Sequence, residues 1–399
     1  MITEPQASPP RQIAIIGGGL GGPLLAKMLQ DHGLECTIYE SESGMDVRTQ
    51  GGSLDLHAES GQQALREAGL HGEFLKHVHP HGEETLIYDK AGRAYSVGGA
   101  ELMGQAAVHP ELDRPEIDRA DLRALLLRSL HPQRLAWGRK LSAITPLDGG
   151  RHALHFADGS SAEADLVIGA DGAWSKVRLL LSQARPQYTG ILFFDLTLEN
   201  VAAGSVEAEL VGRGIMFAFS DNKGMIAHRM GEHIGNYAAL RVPHDWAERS
   251  GVDWHDLEAA KAFLLEQFSD WSSGLRALIA NAQGQVVPRP IYALPIRHQW
   301  PRVPGVTLIG DAAHLMSPFA GEGANLALQD GMELARALIA HRGDTEAALA
   351  EYERGLFPRS EQAALASAQG LEASFTDDAP RSFVALFERF FEQASAQTA

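Results

Sequence analysis

The chain has 399 residues, 45% hydrophobic and 21% charged, which suits a folded protein of two domains or one elaborated α/β body. A formal net charge of −17 excludes a general role on nucleic acid phosphates or an anionic membrane surface, both of which would repel it. A single cysteine, Cys36, excludes an internal disulfide and, inside an apolar run, reads as packing. The amino terminus MITEPQASPPRQ lacks the apolar core of a secretion signal, and no apolar run approaches the roughly eighteen residues of a membrane helix. The expectation is a soluble, cytoplasmic monomer.

In chain order, residues 12–16 form a β-branched strand leading into GGGLGG, followed by a helix at 23–32 and a second strand at 35–39 that stops at Glu40. This is a βαβ unit opening a parallel sheet. Buried-type strands recur at 164–168 and 306–309, each ending in Gly and Asp. Between them, 190–198, 206–211, 215–219, 225–230 and 237–242 read as short strands joined by turns such as SDNKG, an inserted and mainly antiparallel sheet. Helices are expected at 256–268, 324–341 and 345–371, the last broken by Pro358. Phe383, Leu386, Phe387, Phe390 and Phe391 form one apolar stripe, read as a helix docked on the body.

Gly17, Gly19 and Gly22 give G-x-G-x-x-G after a strand and before a helix, with Glu40 about twenty residues on. Gly17 allows the tight turn, Gly19 lets a pyrophosphate approach, Gly22 lets the helix pack on the sheet, and the carboxylate can accept from ribose hydroxyls. The dinucleotide could be NAD or FAD. In GDAAHLMSPFAGEGAN, Asp311 ends a strand where it can accept from a ribityl hydroxyl. Pro318, Gly321 and Gly323 then present free N–H groups at a helix start, whose positive end suits the anionic edge of a reduced flavin. That pattern favours FAD.

With ADLVIGADGAWSKVR in the middle, the three ordered motifs resemble those of the class A FAD-dependent monooxygenases, the para-hydroxybenzoate hydroxylase-like group. The resemblance spans nearly the whole chain. It implies an α/β fold with a Rossmann-like, GR2-type FAD-binding domain, an inserted substrate sheet and carboxy-terminal helices. The FAD domain is expected from 11–84, 116–182 and 289–340, the substrate domain from 85–115 and 183–288, and bracing helices from 341–399. Asp171 and Arg178 fall at the positions of that family's DG motif, implicated in FAD and pyridine nucleotide binding.

GGSLDLHAESGQQALREAGL, PEIDRADLRALLLRSL and FLLEQFSDW are also similar to the TetX-type tetracycline-inactivating monooxygenases. That likeness implies that Asp55, Arg123 and Asp311 hold FAD, with Pro318, Gly321, Gly323 and Asn325 at the flavin end and Arg48 beside the flavin and its nicotinamide donor. Substrate-facing positions would fall at Asp195, Asn236, Tyr237 and Phe319. The expected chemistry is NADPH- or NADH-driven reduction of FAD, addition of O₂ at C4a, and hydroxyl transfer from the hydroperoxyflavin to an electron-rich enol or phenol, plausibly of a tetracycline. Alternatives are hydroxylation of a small phenol and a flavin-binding sensor without turnover. The histidines at 77–83 read as a turn-rich linker, not a metal site, and His314 as shaping the flavin loop.

Overall fold

The computed structural model describes residues 12–47, 52–79, 84–95 and 114–398. It divides into two compact units, one of Met1–Val78, Ile117–Gln187 and Ala293–Ser367, the other of His79–Glu116, Tyr188–Tyr292 and Ala368–Ala399.

In the first unit the strand Ile13–Ile16 is buried along its whole length, as a β-branched strand covered on both faces must be. It sits in a five-stranded sheet of order Val306–Leu308, Leu166–Gly169, Ile13–Ile16, Cys36–Tyr39, Leu135–Ala136. Every pairing in it is parallel, with Ile13 opposite both Leu166 and Cys36. The first helix, Gly21–Asp31, lays Leu24, Leu25 and Leu29, each 0% exposed, into the core, where each contributes about 2 kcal/mol. The sheet places three distant strands side by side. Their carboxyl ends lead into Gly17, Asp171 and Asp311, the edge where open parallel sheets bind ligands.

The second unit is built on a seven-stranded, mainly antiparallel sheet of order Gln283–Ala293, Gln187–Leu198, His233–Arg241, Lys223–Met230, Ile215–Ser220, Thr85–Tyr88, Ala94–Tyr95. The pair Ile215–Ser220 and Thr85–Tyr88 is parallel. Asp221 and Asn222, with φ of 52° and 59°, make the two-residue turn that the SDNKG stretch predicts. One face packs Phe194, Leu196, Ile234 and Ala238 together with Leu264, Leu275 and Leu278 of the helices Leu257–Gln267 and Ser273–Ala280. Asp256 and Ser272 cap those helices through their side-chain oxygens. On the opposite face, Phe217 and Phe219 meet Phe383, 5.2 and 4.9 Å between ring centroids, from the helix Arg381–Thr398.

Two local expectations fail. Residues 206–211, read as a strand, form the helix Val206–Val211, because Ser205 accepts from the Ala208 N–H and Glu, Ala and Leu favour the helix. The helix Thr345–Ser374 runs through Pro358 without a break. Burial of Leu349, Tyr352 and Leu356 on its face offsets the lost N–H bond, which costs about 3 kcal/mol.

Candidate active site

The glycine loop is shaped by contacts that a side chain would forbid. Gly17 has φ of +114°, donates its N–H to the Tyr39 carbonyl at 3.0 Å, and would drive a Cβ into the Ala170 carbonyl. A Cβ at Gly22 would strike the Gly17 carbonyl and lie 3.1 Å from Ile15 Cγ2, so glycine is what lets helix meet strand. At Gly19 a Cβ would meet nothing within 4 Å. One face of the loop is therefore open.

Glu40 is buried and turned back onto this loop. Its Oε2 accepts from the Gly18 N–H at 2.5 Å, while Oε1 accepts from Ser41 Oγ at 2.9 Å and the Glu42 N–H at 3.0 Å. Burial raises its pKa, but these backbone N–H groups, Ser41 and the Arg123 charge outweigh it and hold the carboxyl below its ordinary value. Arg123, on the helix Arg119–Arg128 and also buried, donates Nε to the Gly18 carbonyl at 2.7 Å and pairs with Glu42 at 2.9 Å. The loop, the ribose-side acid and a fixed cation thus form one cluster.

The middle and terminal motifs are joined by Arg178. Its Nη2 donates to the Ala173 carbonyl at 2.6 Å, and Nη1 to the Ala312 carbonyl at 3.0 Å and the Asp311 carbonyl at 3.5 Å. Burial lowers its pKa. Asp171 caps its own turn, accepting from the Lys176 N–H at 2.7 Å, and its other oxygen, Oδ1, is buried without a partner among the described residues. Burial pushes its carboxyl above the ordinary range. Asp311 itself is exposed at the start of the helix Asp311–His314.

Asn325 ties the stretch around Asp55 to the terminal motif. It is 0% exposed; Oδ1 accepts from the His57 N–H at 2.9 Å, and Nδ2 donates to the carbonyls of Asp55 at 2.9 Å and Gly321 at 3.3 Å. Asp55 Oδ2 lies 3.0 Å from His57 Nε2, and a Cβ at Gly321 would come within 3.5 Å of Asp55. Pro318 opens the turn Pro318–Ala320, which contains Phe319, and accepts from the Gly321 N–H at 3.0 Å. Gly323 begins an eighteen-residue helix whose N-cap residue, Glu322, makes no side-chain cap hydrogen bond and whose first turn carries no acid, so its N-terminal end offers N–H groups and the positive end of the dipole.

In the second unit, Asp195 and Tyr237 are directly paired across neighbouring strands, and Asn236 pairs with Leu196. Strand alternation therefore puts Asn236 on the other face, with Ile234 and Ala238 in the apolar cluster. It is 0% exposed, and neither side-chain amide atom has a partner among the described residues. Asp195 Oδ2 accepts from Arg289 Nε at 2.9 Å. Arg48 lies outside the described residues, as do positions 80–83 of the histidine-rich stretch. Among the described residues, no group of three or more His, Cys, Asp or Glu could hold a metal ion.

Sequence reasoning missed the support behind Asp311. Asp330, 0% exposed, accepts from the Gly310 N–H at 2.8 Å, His314 Nε2 at 2.7 Å and Arg359 Nη2 at 2.9 Å. Arg359 also reaches Glu333 at 2.5 Å. Burial opposes the charge on His314, but Asp330 prevails and raises its pKa; the Asp330 carboxyl is lowered in turn, against the cost of its burial, by His314 and Arg359. The i, i+4 relation of His314 to Gly310 and the one-turn pattern Asp330, Glu333 were visible, but nothing in the sequence links them to Arg359.

The donor set fits FAD. An open glycine face, a carboxylate held anionic beside it, a buried arginine, an exposed acid at a strand end and an uncapped helix start are complementary to pyrophosphate, ribose, ribityl chain and an anionic ring edge. The comparisons agree. A family model described as "FAD binding domain" matches residues 11–367. Monooxygenase asqM of Emericella nidulans is 28% identical, over 94% of this chain and 98% of its own. The 6-hydroxynicotinate 3-monooxygenase of Pseudomonas fluorescens is 30% identical, over 86% and 87%. The crystal structure of tetracycline destructase Tet(51) superposes with a TM-score of 0.70 at 19% identity, over 96% of each chain, a likeness of fold alone. The chain belongs to the FAD binding domain family, a family of flavin-dependent monooxygenases.

Proposed function

We propose that this protein is an FAD-dependent monooxygenase that consumes NADPH or NADH and O₂ and hydroxylates an electron-rich phenol- or enol-type small molecule. One observation carries the reading: the strands ending at Gly17, Asp171 and Asp311 are neighbours in one parallel sheet, and Arg178 fastens the second end to the third. Bound FAD supplies the oxygen-transfer chemistry. The chain's share is binding and orientation. The open face at Gly19 admits the pyrophosphate, Glu40 accepts from the ribose, Asp311 accepts from the ribityl chain, and the first turn after Gly323 offers N–H donors to the ring edge. Arg123, Arg178 and Asn325 hold these groups in place through backbone carbonyls, and no protein nucleophile is invoked.

The test is a screen of the purified yellow protein with phenols, hydroxypyridines and tetracyclines, scored by stimulated NADPH or NADH consumption together with a product heavier by one oxygen. Product from a phenol or hydroxypyridine supports the reading. Oxygenation of a tetracycline would establish the narrower role suggested by GGSLDLHAESGQQALREAGL. A flavin-loaded protein that no compound stimulates would be a sensor, against the proposal.

A further inference from the structure

The face of the second unit's sheet opposite its apolar core carries one row of side chains across five strands. In register these are Ile87, Phe217, Ile226, Tyr237 and Asp195. The row changes character from end to end. Phe217 is covered by Phe383 and Phe387, at 5.2 and 6.2 Å between ring centroids, so that end belongs to the carboxy-terminal helix. Tyr237 stacks on Phe193 at 5.4 Å with the rings inclined by 30°. Beyond it Asp195 meets Arg289, with the two side chains 28% and 35% exposed.

The geometry of that ion pair is one-sided. Arg289 uses Nε alone, and Asp195 accepts through Oδ2 alone. Among the described residues, the two terminal nitrogens of Arg289 and the second oxygen of Asp195 take no hydrogen bond. A donor edge and an acceptor therefore stand together beside an aromatic stack, with their charges mutually offset.

Resting on the proposed hydroxylase reading, we infer that Asp195 and Arg289 select a neutral substrate: a flat ring bearing adjacent hydroxyl and carbonyl, or a lactam, in preference to an aromatic carboxylate. The hydroxyl donates to Asp195, the carbonyl accepts from Arg289, and the ring lies along Tyr237. A carboxylate would gain from Arg289 but meets Asp195 as a like charge, which complementary sites use to reject a wrong partner. An arginine with no acidic neighbour would select the reverse.

The experiment compares salicylamide with salicylate, which share a ring and hydroxyl and differ in charge, on the FAD-loaded enzyme. Dissociation constants come from flavin fluorescence, and stimulation from NADPH and NADH consumption. The inference predicts that wild type favours the amide by on the order of tenfold, and that Asp195→Asn removes or inverts that preference. Arg289→Gln is expected to weaken the amide while leaving the acid no better bound. A wild-type preference for salicylate, or a ratio unmoved by Asp195→Asn while the probes still stimulate turnover, overturns the inference and leaves the hydroxylase reading standing. Failure of both probes, and of the wider phenol screen, to stimulate turnover overturns the hydroxylase reading and this inference with it.

Discussion

Arg178 donates to the carbonyl of Ala312 at 3.0 Å, so a side chain of the middle motif fixes the backbone that carries Asp311. Its Nη2 bond to the Ala173 carbonyl anchors the same guanidinium in its own motif. Lysine has one compact charge and no fork, and cannot hold both sides. Arg178→Lys is expected to remain folded by circular dichroism and to weaken FAD by on the order of tenfold to a hundredfold, read by fluorescence titration.

The three fingerprint glycines should separate into two kinds. Gly17→Ala and Gly22→Ala push a Cβ into backbone, and each should destabilise the apo protein by about 2 kcal/mol or more in urea melts. Gly19→Ala meets nothing within 4 Å, so the apo protein should melt within about 0.5 kcal/mol of wild type yet lose FAD. Equal destabilisation by all three would argue that Gly19 is structural.

The His314–Asp330 pair makes stability depend on pH in two directions. His314 has a folded pKa raised above 6.5, so its contribution is fully present below that value and is lost as pH rises through the folded pKa. Asp330 has a folded pKa lowered below 3.8, so its contribution is present above that value and is lost as pH falls through the folded pKa. The excess stability of wild type over His314→Asn should therefore shrink as pH rises above 6.5. Thermal melts of both proteins from pH 5 to about pH 9 measure it, and an excess that grows with pH would contradict the pairing.

Asn236 buries an amide that has no partner among the described residues, within an apolar cluster. Asn236→Leu removes that desolvation cost at similar volume and should raise stability by about 1–3 kcal/mol. Because Asn236 lies on the face opposite Asp195 and Tyr237, salicylamide affinity should change little. A large loss of affinity in a well-folded variant would instead bring Asn236 into recognition.

Cys36 is 3% exposed, and burial pushes its thiol up to about 11, with Arg134 only partly opposing. The folded protein should give no fast reaction with a thiol reagent at pH 8, and one thiol per chain should appear on unfolding.

Four of the five parallel strands were legible because short buried-type runs ending in Gly or an acid have few other uses, whereas the edge strand Leu135–Ala136 is too short to show; the glycine loop was legible from its spacing, and Gly17 and Gly22 follow from steric need. Local chemistry misled at 206–211, where apolar residues two apart matched a strand until the Ser205 cap was seen. Contacts across the chain were not legible at all. Arg178 reaching Ala312, Asn325 reaching Asp55, Arg359 reaching Asp330 and Arg289 reaching Asp195 each depend on how strands and helices are ordered in space. The tetracycline likeness rested on GGSLDLHAESGQQALREAGL, PEIDRADLRALLLRSL and FLLEQFSDW, the last of which packs Leu264, Phe268 and Trp271 into the second unit's apolar cluster, and none of these reports on the substrate.

The most direct measurement is flavin content. Purified chain, freed of flavin and titrated with FAD, should bind about one FAD per chain with a resolved flavin spectrum, and Gly19→Ala should bind none while remaining folded. A folded wild-type protein that stays colourless with excess FAD would contradict the account, because the three strand ends would then form no flavin cradle.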